Sequence, residues 1–337
     1  MNPEPRRILI VKPSSLGDIV HALPFLHALR QRFPNTYLAW LAKREWAPLL
    51  VGHPDLNEVR SACFAISDTA SLLRAVRGGF DWAIDLQGLF RSGLLTRLSG
   101  AKVRIGLSNA REGAGFFYTQ KAQVPADPTH AVERYLRVCP LFGVEQPPVV
   151  FSFPDFSAAR RSLERILESR QVPRGRPRIA LHVTSRERPK RWPAEHFARL
   201  ADQLIRERDA VVLLIGARPE RAEVQTVLDR MSECAFNLAG ETSLVELAAL
   251  LSGADLLVCN DSGPMHLAAA LGTRVVALFG PTDPVEVGPY GKGHRVLRAD
   301  WDCSSCSRSQ CVQGGACLRA LSAGMATEAA KSVLEDR

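Results

Sequence analysis

No apolar run in this 337-residue chain is long enough to cross a membrane as a helix. The strand-like Arg7-Ile8-Leu9-Ile10-Val11 begins within a few residues of the start, with neither the apolar h-region nor the small-residue cleavage site of a secretory leader. The expectation is a cytosolic protein that at most lies on a membrane. Gly-x-Gly-x-x-Gly spacing is missing, and Lys12 precedes its turn rather than following a pair of glycines, so neither a dinucleotide fingerprint nor a P-loop is present. There is no basic low-complexity arm, no nucleic-acid motif and no short internal repeat, which argues against nucleic acid as a partner.

What is there is ordinary in bulk. An apolar content of 46% and a charged content of 23% fit a soluble globular protein, and the length suits two domains with separate cores. The net charge of +8 suits an anionic partner such as a nucleotide diphosphate or an acidic membrane face. Of eight cysteines, Cys63, Cys139, Cys234 and Cys259 are scattered and read as small buried hydrophobes.

Strand-like runs alternate with helical patterns in both halves. Ile8–Val11, Thr36–Leu41 and Trp82–Leu86 read as strands in the first, with a helix around Phe25–Phe33. The second half restarts at Arg178–Val183 and continues with a helix over Ala194–Arg208, a strand over Ala210–Ile215 and a helix over Leu244–Leu251. Ala254–Cys259 and Val275–Phe279 add two further strands. This pattern predicts an α/β protein of two doubly wound domains facing each other across a cleft. The hinge is expected at Gln171–Pro177, rich in Pro and Arg, after an amphipathic helix near Ala158–Ser169. The domains would then span 1–170 and 171–337, with the last helix able to pack back on the first.

Polar residues gather where these strands end. Lys12-Pro13-Ser14-Ser15-Leu16-Gly17-Asp18 follows the first strand and offers Asp18 either as a helix cap or as a catalytic base. Thr184-Ser185-Arg186-Glu187-Arg188-Pro189-Lys190-Arg191-Trp192-Pro193 follows the first strand of the second half, with Pro193 placed like the first residue of a helix. Its hydroxyls and cations either hold a diphosphate or form a solvated basic loop. Asn260-Asp261-Ser262-Gly263 turns into a helix carrying His266, and Gly280-Pro281-Thr282-Asp283-Pro284 ends the next strand. Two such turns within 25 residues mark the carboxyl-edge crevice where open α/β sheets bind ligands, and the helix start favours an anion. Glu220 closes another strand and serves either a ribose or the surface. Asp85-Leu86-Gln87-Gly88, Arg111, His130 and Arg134 supply a strand end and cationic or titratable groups suited to an anionic acceptor, each alone as readily a surface residue.

In order along nearly the whole chain, Lys12–Asp18, Arg188-Pro189-Lys190-Arg191-Trp192-Pro193 and Asn260–Pro284 resemble the ADP-heptose:lipopolysaccharide heptosyltransferases, glycosyltransferase family 9. Asp85–Gly88, Ala110-Arg111-Glu112 and His130-Ala131-Val132-Glu133-Arg134 look most like the type I enzymes, which place the first heptose on the Kdo of the inner core. The resemblance implies a GT-B fold with two Rossmann-like domains and an inverting, metal-independent transfer that needs no cofactor. Acceptor would bind the N-terminal domain and ADP-heptose the C-terminal one. Carried over by position, Asp18 would be the general base and Lys190 the diphosphate-stabilising cation, with Thr184 and Ser185 beside it. Either Glu220 or Glu223 would meet the ribose. Asp261, Ser262, Gly263 and His266 would form the donor turn, with Ser262 standing where many relatives have Thr. Ser15, Gly17, Arg111 and His130 would face the acceptor. That acceptor would be an anionic lipid-linked saccharide, met at the cytoplasmic face of the inner membrane.

Two features fit this less well. Asp300-Trp301-Asp302 imitates the Asp-x-Asp metal motif of another transferase architecture, but lies too near the C-terminus for it. Cys303, Cys306, Cys311 and Cys317 form a thiol cluster that suggests a structural metal, although its spacings after the first pair are not those of a standard zinc module. Some relatives carry such a cluster and the type I enzymes generally lack it, which keeps open transfer onto a core heptose or a protein side chain. A GT-B sugar-nucleotide epimerase and a non-catalytic nucleotide-sugar binder are the alternatives from other classes.

Overall fold

The computed structural model describes residues 4–64, 69–299, 311 and 315–335. Its chain divides into two compact units, Met1–Asp155 and Phe156–Arg337.

In the first unit six parallel strands, β1 (Arg7–Val11), β2 (Tyr37–Lys43), β3 (Glu58–Ala62), β4 (Trp82–Asp85), β5 (Val103–Leu107) and β6 (Gln120–Ala122), lie in the order β3-β2-β1-β4-β5-β6. The helices between them are α1 (Leu16–His21), α2 (Leu23–Arg32), α3 (Thr69–Val76) and α4 (Phe90–Leu98), and α5 (Ala131–Leu136) follows β6. In the second unit, α6 (Ser157–Ser169) precedes β7 (Arg178–His182), β8 (Val211–Ile215), β9 (Phe236–Asn237), β10 (Leu256–Asn260), β11 (Val275–Phe279) and β12 (Arg295–Arg298). These strands are ordered β12-β11-β10-β7-β8-β9, the same winding repeated. Around them run α7 (Ala194–Arg208), α8 (Arg221–Leu228), α9 (Leu244–Ser252), α10 (Gly263–Ala270), α11 (Pro284–Val287), α12 (Ala316–Ala320) and α13 (Ala323–Glu335).

The central strands read as unbroken apolar runs because both faces are covered, and every residue of β8, β10 and β11 is buried. Ile179 and Leu181, Val212 and Leu214, and Leu256 and Val258 point from alternate positions into one core with Phe197, Leu200 and Leu204 of α7. In each sheet the winding reverses between two adjacent strands, β1 and β4 in the first and β7 and β10 in the second. The carboxyl ends of those pairs leave a crevice that no crossover covers, which is where doubly wound sheets take ligands.

The division between the units differs from the expectation. The units part before α6, not after it, because α6 buries Leu163 and Leu167 and packs on α9 of the second sheet. The last helix, α13, packs on α7, β10 and β11, with Ala326, Ala330 and Val333 in the second unit's core. Pro193 caps α7 rather than opening its first turn.

The segment leading to Phe156 is fastened to the first unit. Ser152 Oγ donates to Asp55 Oδ2 at 3.0 Å, His27 Nδ1 lies 3.0 Å from the same oxygen, and the Ser152 carbonyl accepts from His53 Nε2 at 2.8 Å. Serine and acid meet the same ring nitrogen of His27, so the cluster is a tether and not a nucleophilic triad.

Gly106 in β5 lies beneath the ring of Tyr118, which occupies the space of any Cβ there. Gly106→Ala displaces that ring and is expected to cost about 1–3 kcal/mol, read as a lower midpoint in urea unfolding followed by fluorescence. An unchanged midpoint would mean that the ring moves aside freely.

Candidate functional site

At the first switch point, β1 runs straight into Lys12. The sequence dictates this ammonium's burial: it follows four apolar strand residues and is only 2% exposed. Its Nζ lies 3.4 Å from Asp18 Oδ1 and 5.0 Å from the centre of the Tyr135 ring. Burial pushes the Lys12 ammonium below the ordinary lysine range, while Asp18 and Asp85 act to keep its proton in place.

Asp18 is the third residue of α1, not its cap, and reaches back to the cap residue. Its Oδ2 accepts from the Ser15 amide at 3.0 Å and from the Ser15 hydroxyl at 2.9 Å. Its Oδ1 accepts from Tyr135 Oη at 3.1 Å. Burial alone would raise this carboxyl, but the Lys12 charge and the bonds from Ser15 and Tyr135 outweigh it and hold it below the usual range. The side chain nevertheless keeps 40% of its surface exposed, so an ionised oxygen stays within reach of a ligand.

Asp85, at the end of β4, is fully buried. Its Oδ1 accepts from the amides of Gln87 at 2.8 Å and Gly88 at 3.1 Å, and its Oδ2 from Tyr118 Oη at 2.7 Å. Burial raises this carboxyl against those bonds. Gly88 takes a positive φ of 68°, the turn conformation that glycine permits, and its carbonyl accepts from the Arg111 amide at 2.8 Å. Arg111 thus stands on the same carboxyl edge with an exposed side chain. His130 caps α5 by accepting from the Val132 amide at 3.2 Å, and its ring packs edge-on against His21. Ser15, Gly17, Asp18, Arg111 and His130 therefore gather around the first unit's switch point or the loops beside it.

At the second switch point, Thr184 and Ser185 follow β7 and are buried. Thr184 Oγ1 donates to Glu220 Oε1, and Ser185 Oγ donates to the Asp261 carbonyl at 3.1 Å. Lys190 Nζ lies 2.8 Å from Asp261 Oδ2, which also accepts from Thr282 Oγ1 at 2.7 Å. Asn260, completely buried, ties the two loops: its side chain accepts from the Trp192 amide at 2.9 Å and donates to the Val183 carbonyl at 2.9 Å. The Trp192 indole donates to the Leu321 carbonyl at 2.8 Å. Ser262 caps α10 with its hydroxyl 3.0 Å from His182 Nδ1, and Gly263 and His266 occupy the helix's first and fourth positions. This is a rigid loop pair presenting one ammonium, several hydroxyls and a helix start, a combination suited to a diphosphate.

Glu220 belongs to this site by contact with Thr184. Glu223 instead pairs with Arg191 at 2.6 Å on the exposed side of α8. Burial would raise the Glu220 carboxyl, but His182, the Thr184 hydroxyl and the Ala217 amide at 2.6 Å bring it down to about 2.

Sequence reasoning named no role for Lys12, Tyr118, Tyr135, His182, Asn260 or Thr282. A lysine closing an apolar strand and a tyrosine one turn after His130 were the available signals. Cys303 and Cys306 lie outside the described residues, as do Asp300, Trp301 and Asp302. Of the other two thiols, Cys311 Sγ accepts from the Gly315 amide and Cys317 is buried beside Gly280. Among the described residues no group of three or more His, Cys, Asp or Glu is placed to hold a metal, and no helix is long and apolar enough to cross a membrane.

Residues 69–316 match the model of glycosyltransferase family 9 (heptosyltransferase). The chain belongs to that family. This glycosyltransferase is 31% identical over 308 residues to lipopolysaccharide heptosyltransferase 1 of Escherichia coli K12, covering 87% of this chain and 93% of that protein. It is 29% identical over 306 residues to lipopolysaccharide heptosyltransferase 2 of the same strain, covering 87% and 88%. The solved structure of E. coli heptosyltransferase WaaC with ADP shares its fold at a TM-score of 0.76, with 28% identity and coverage of 97% and 99%. The two wound sheets are accordingly those of the GT-B fold.

The Glu220 contacts carry a pH signature. Its folded value lies below the roughly 4.3 of an unfolded glutamate, so its stabilisation is complete above that value and fades as pH falls toward about 2. Glu220→Gln is expected to lower unfolding free energy by about 1–3 kcal/mol at neutral pH. In urea titrations the gap to wild type narrows at acid pH; a gap that stays constant would remove the ionised carboxylate from the account.

Proposed function

We propose that this glycosyltransferase moves heptose from ADP-L-glycero-D-manno-heptose to the Kdo of the lipopolysaccharide inner core, by inverting, metal-independent transfer. The observation that carries the reading is Asp18, a carboxylate held ionised by Lys12, Ser15 and Tyr135 yet still accessible. In this reading the first unit takes the lipid-linked acceptor and the second takes the donor. Asp18 removes the proton of the acceptor hydroxyl as that oxygen attacks the anomeric carbon. A carboxylate is a weak base at neutral pH, and its fixed position compensates, because the oxygen becomes acidic only as the bond forms.

The leaving group is ADP, and its departure concentrates negative charge on the diphosphate. Lys190, held by Asp261, meets that charge together with Thr184, Ser185 and the start of α10 at Ser262 and Gly263. Glu220 accepts from the ribose, and His266 lies one turn into the same helix. Ser15, Gly17, Arg111 and His130 orient the acceptor. The relatives named heptosyltransferase 1 support Kdo as acceptor. The close match to heptosyltransferase 2 supports a second reading, transfer onto a core heptose.

Incubation with ADP-heptose and either Kdo-lipid A or its heptosylated product, read by mass spectrometry, separates these readings. Addition to Kdo alone is expected; addition only to the heptosylated acceptor selects the second reading, and donor conversion without acceptor selects an epimerase. Turnover that survives a chelator is expected, and restoration only by added divalent cation would overturn metal independence. Asp18→Asn is expected to lower kcat by about 10²–10⁴-fold with ADP affinity unchanged by calorimetry, whereas Lys190→Ala loses both.

Lys12 sets the acid limb of the pH–rate profile. It depresses the Asp18 carboxyl, so Lys12→Met is expected to shift the lower pKa of kcat/KM upward. A limb that does not move would detach Lys12 from the base.

A further inference from the structure

Beside the Asp85–Gly88 loop the first unit carries a surface that the transfer chemistry does not use. Phe116 is 93% exposed and Phe90, at the start of α4, is 50% exposed. They stand on adjoining elements. The turn Ala114–Phe117 packs on α4, the Phe90 and Phe117 rings lie edge-on at 5.4 Å, and the Phe90 amide donates to Glu112 at 3.2 Å. A Cβ on Gly115 would stand 3.2 Å from Lys121 Nζ, so that ammonium borders the same turn.

Charge around these rings is one-sided. From Phe90 to Lys121 the chain has six basic residues, Arg91, Arg97, Lys102, Arg104, Arg111 and Lys121, against the single acid Glu112. Arg91, Arg97, Arg111 and Lys121 are exposed and make no salt bridge among the described residues. Lys121 borders the protruding Phe116 turn. Arg91, next to Phe90 in the chain, lies over the Phe64 ring and donates to the Phe64 carbonyl, without a carboxylate partner among the described residues. A face of exposed aromatics with such cations matches an interface of acyl chains beneath anionic headgroups. It does not match a second copy of itself, since two such faces would repel.

We propose that this face of the first unit, with Phe116 and Phe90 as apolar anchors and Arg91 and Lys121 as headgroup contacts, docks the enzyme on an anionic lipid surface. The proposal rests on the lipid-linked acceptor of the reading above and adds where the enzyme meets the lipid. The placement is economical. Arg111 borders the patch and bonds Gly88, and Gln87 Oε1 of that loop accepts from the Ser14 amide at 3.4 Å, beside Asp18. An acceptor whose lipid stays in the membrane is then delivered to the base along one edge of one sheet.

Co-sedimentation with vesicles tests this without donor or acceptor, so it stands apart from the transfer assay. Wild type is expected to bind vesicles of phosphatidylcholine containing phosphatidylglycerol, to bind phosphatidylcholine alone far less, and to lose binding as salt rises. Phe90→Ser with Phe116→Ser is expected to weaken binding at least about tenfold, and Arg91→Glu with Lys121→Glu comparably. The aromatic variant should keep its kcat on a water-soluble, delipidated acceptor and lose rate only on acceptor embedded in vesicles. Unimpaired vesicle binding by the aromatic variant, equal binding to neutral vesicles, or a change in oligomeric state in place of lipid binding would each overturn the proposal. Loss of transfer on the soluble acceptor would instead count against the functional reading.

Discussion

The buried Lys12 ammonium governs the first unit's chemistry. A charge taken this far from water needs opposite charge close by, and the fold supplies Asp18 from the next helix and Asp85 from the neighbouring strand. One interaction therefore fixes the reach of the β1 loop, the ionisation of Asp18 and the way α5 packs, since Tyr135 contributes both its ring to Lys12 and its hydroxyl to Asp18. The second unit solves the same problem with the opposite exposure. There the carboxylate, Asp261, is the more buried partner, 6% exposed against 15% for Lys190.

In the proposed reading these arrangements divide the labour between attraction and catalysis. The first switch point holds the Lys12 ammonium, with the Arg134 charge acting on it, against the carboxyl groups of Asp18 and Asp85. Recruitment of the anionic lipid surface falls, in that reading, to Lys121 and the exposed arginines, where no base has to be kept ionised. Lys12 is the charge that acts on Asp18.

Much of this was legible in the sequence, and the reasons for the gaps are physical. Strands buried on both faces announce themselves as apolar runs, which is why β1, β7, β8, β10 and β11 were evident. The edge strands β3, β6 and β9 are short and half polar, and they resemble loops. Residues supplied by a turn directly after a strand, such as Asp18, Thr184 and Asp261, could be read from position. Their partners could not: Tyr135 lies 117 residues from Asp18 and Glu220 lies 36 from Thr184, and no local pattern encodes such pairings. The division between units was misplaced for a related reason. A Pro- and Arg-rich stretch looks like a linker, but packing of α6 on α9 decides where one body ends.

The bond from the Trp192 indole to the Leu321 carbonyl has a consequence in time. It spans 129 residues and anchors the loop that carries Lys190 to the turn between α12 and α13. A contact of such long sequence separation forms late, because the intervening chain must first be ordered. The loop that carries Lys190 therefore lacks this anchor until the chain has been made as far as Leu321. A nascent chain that stops short of Leu321 would hold all six strands of its first sheet while the loop after β7 still lacked one of the bonds that fix it.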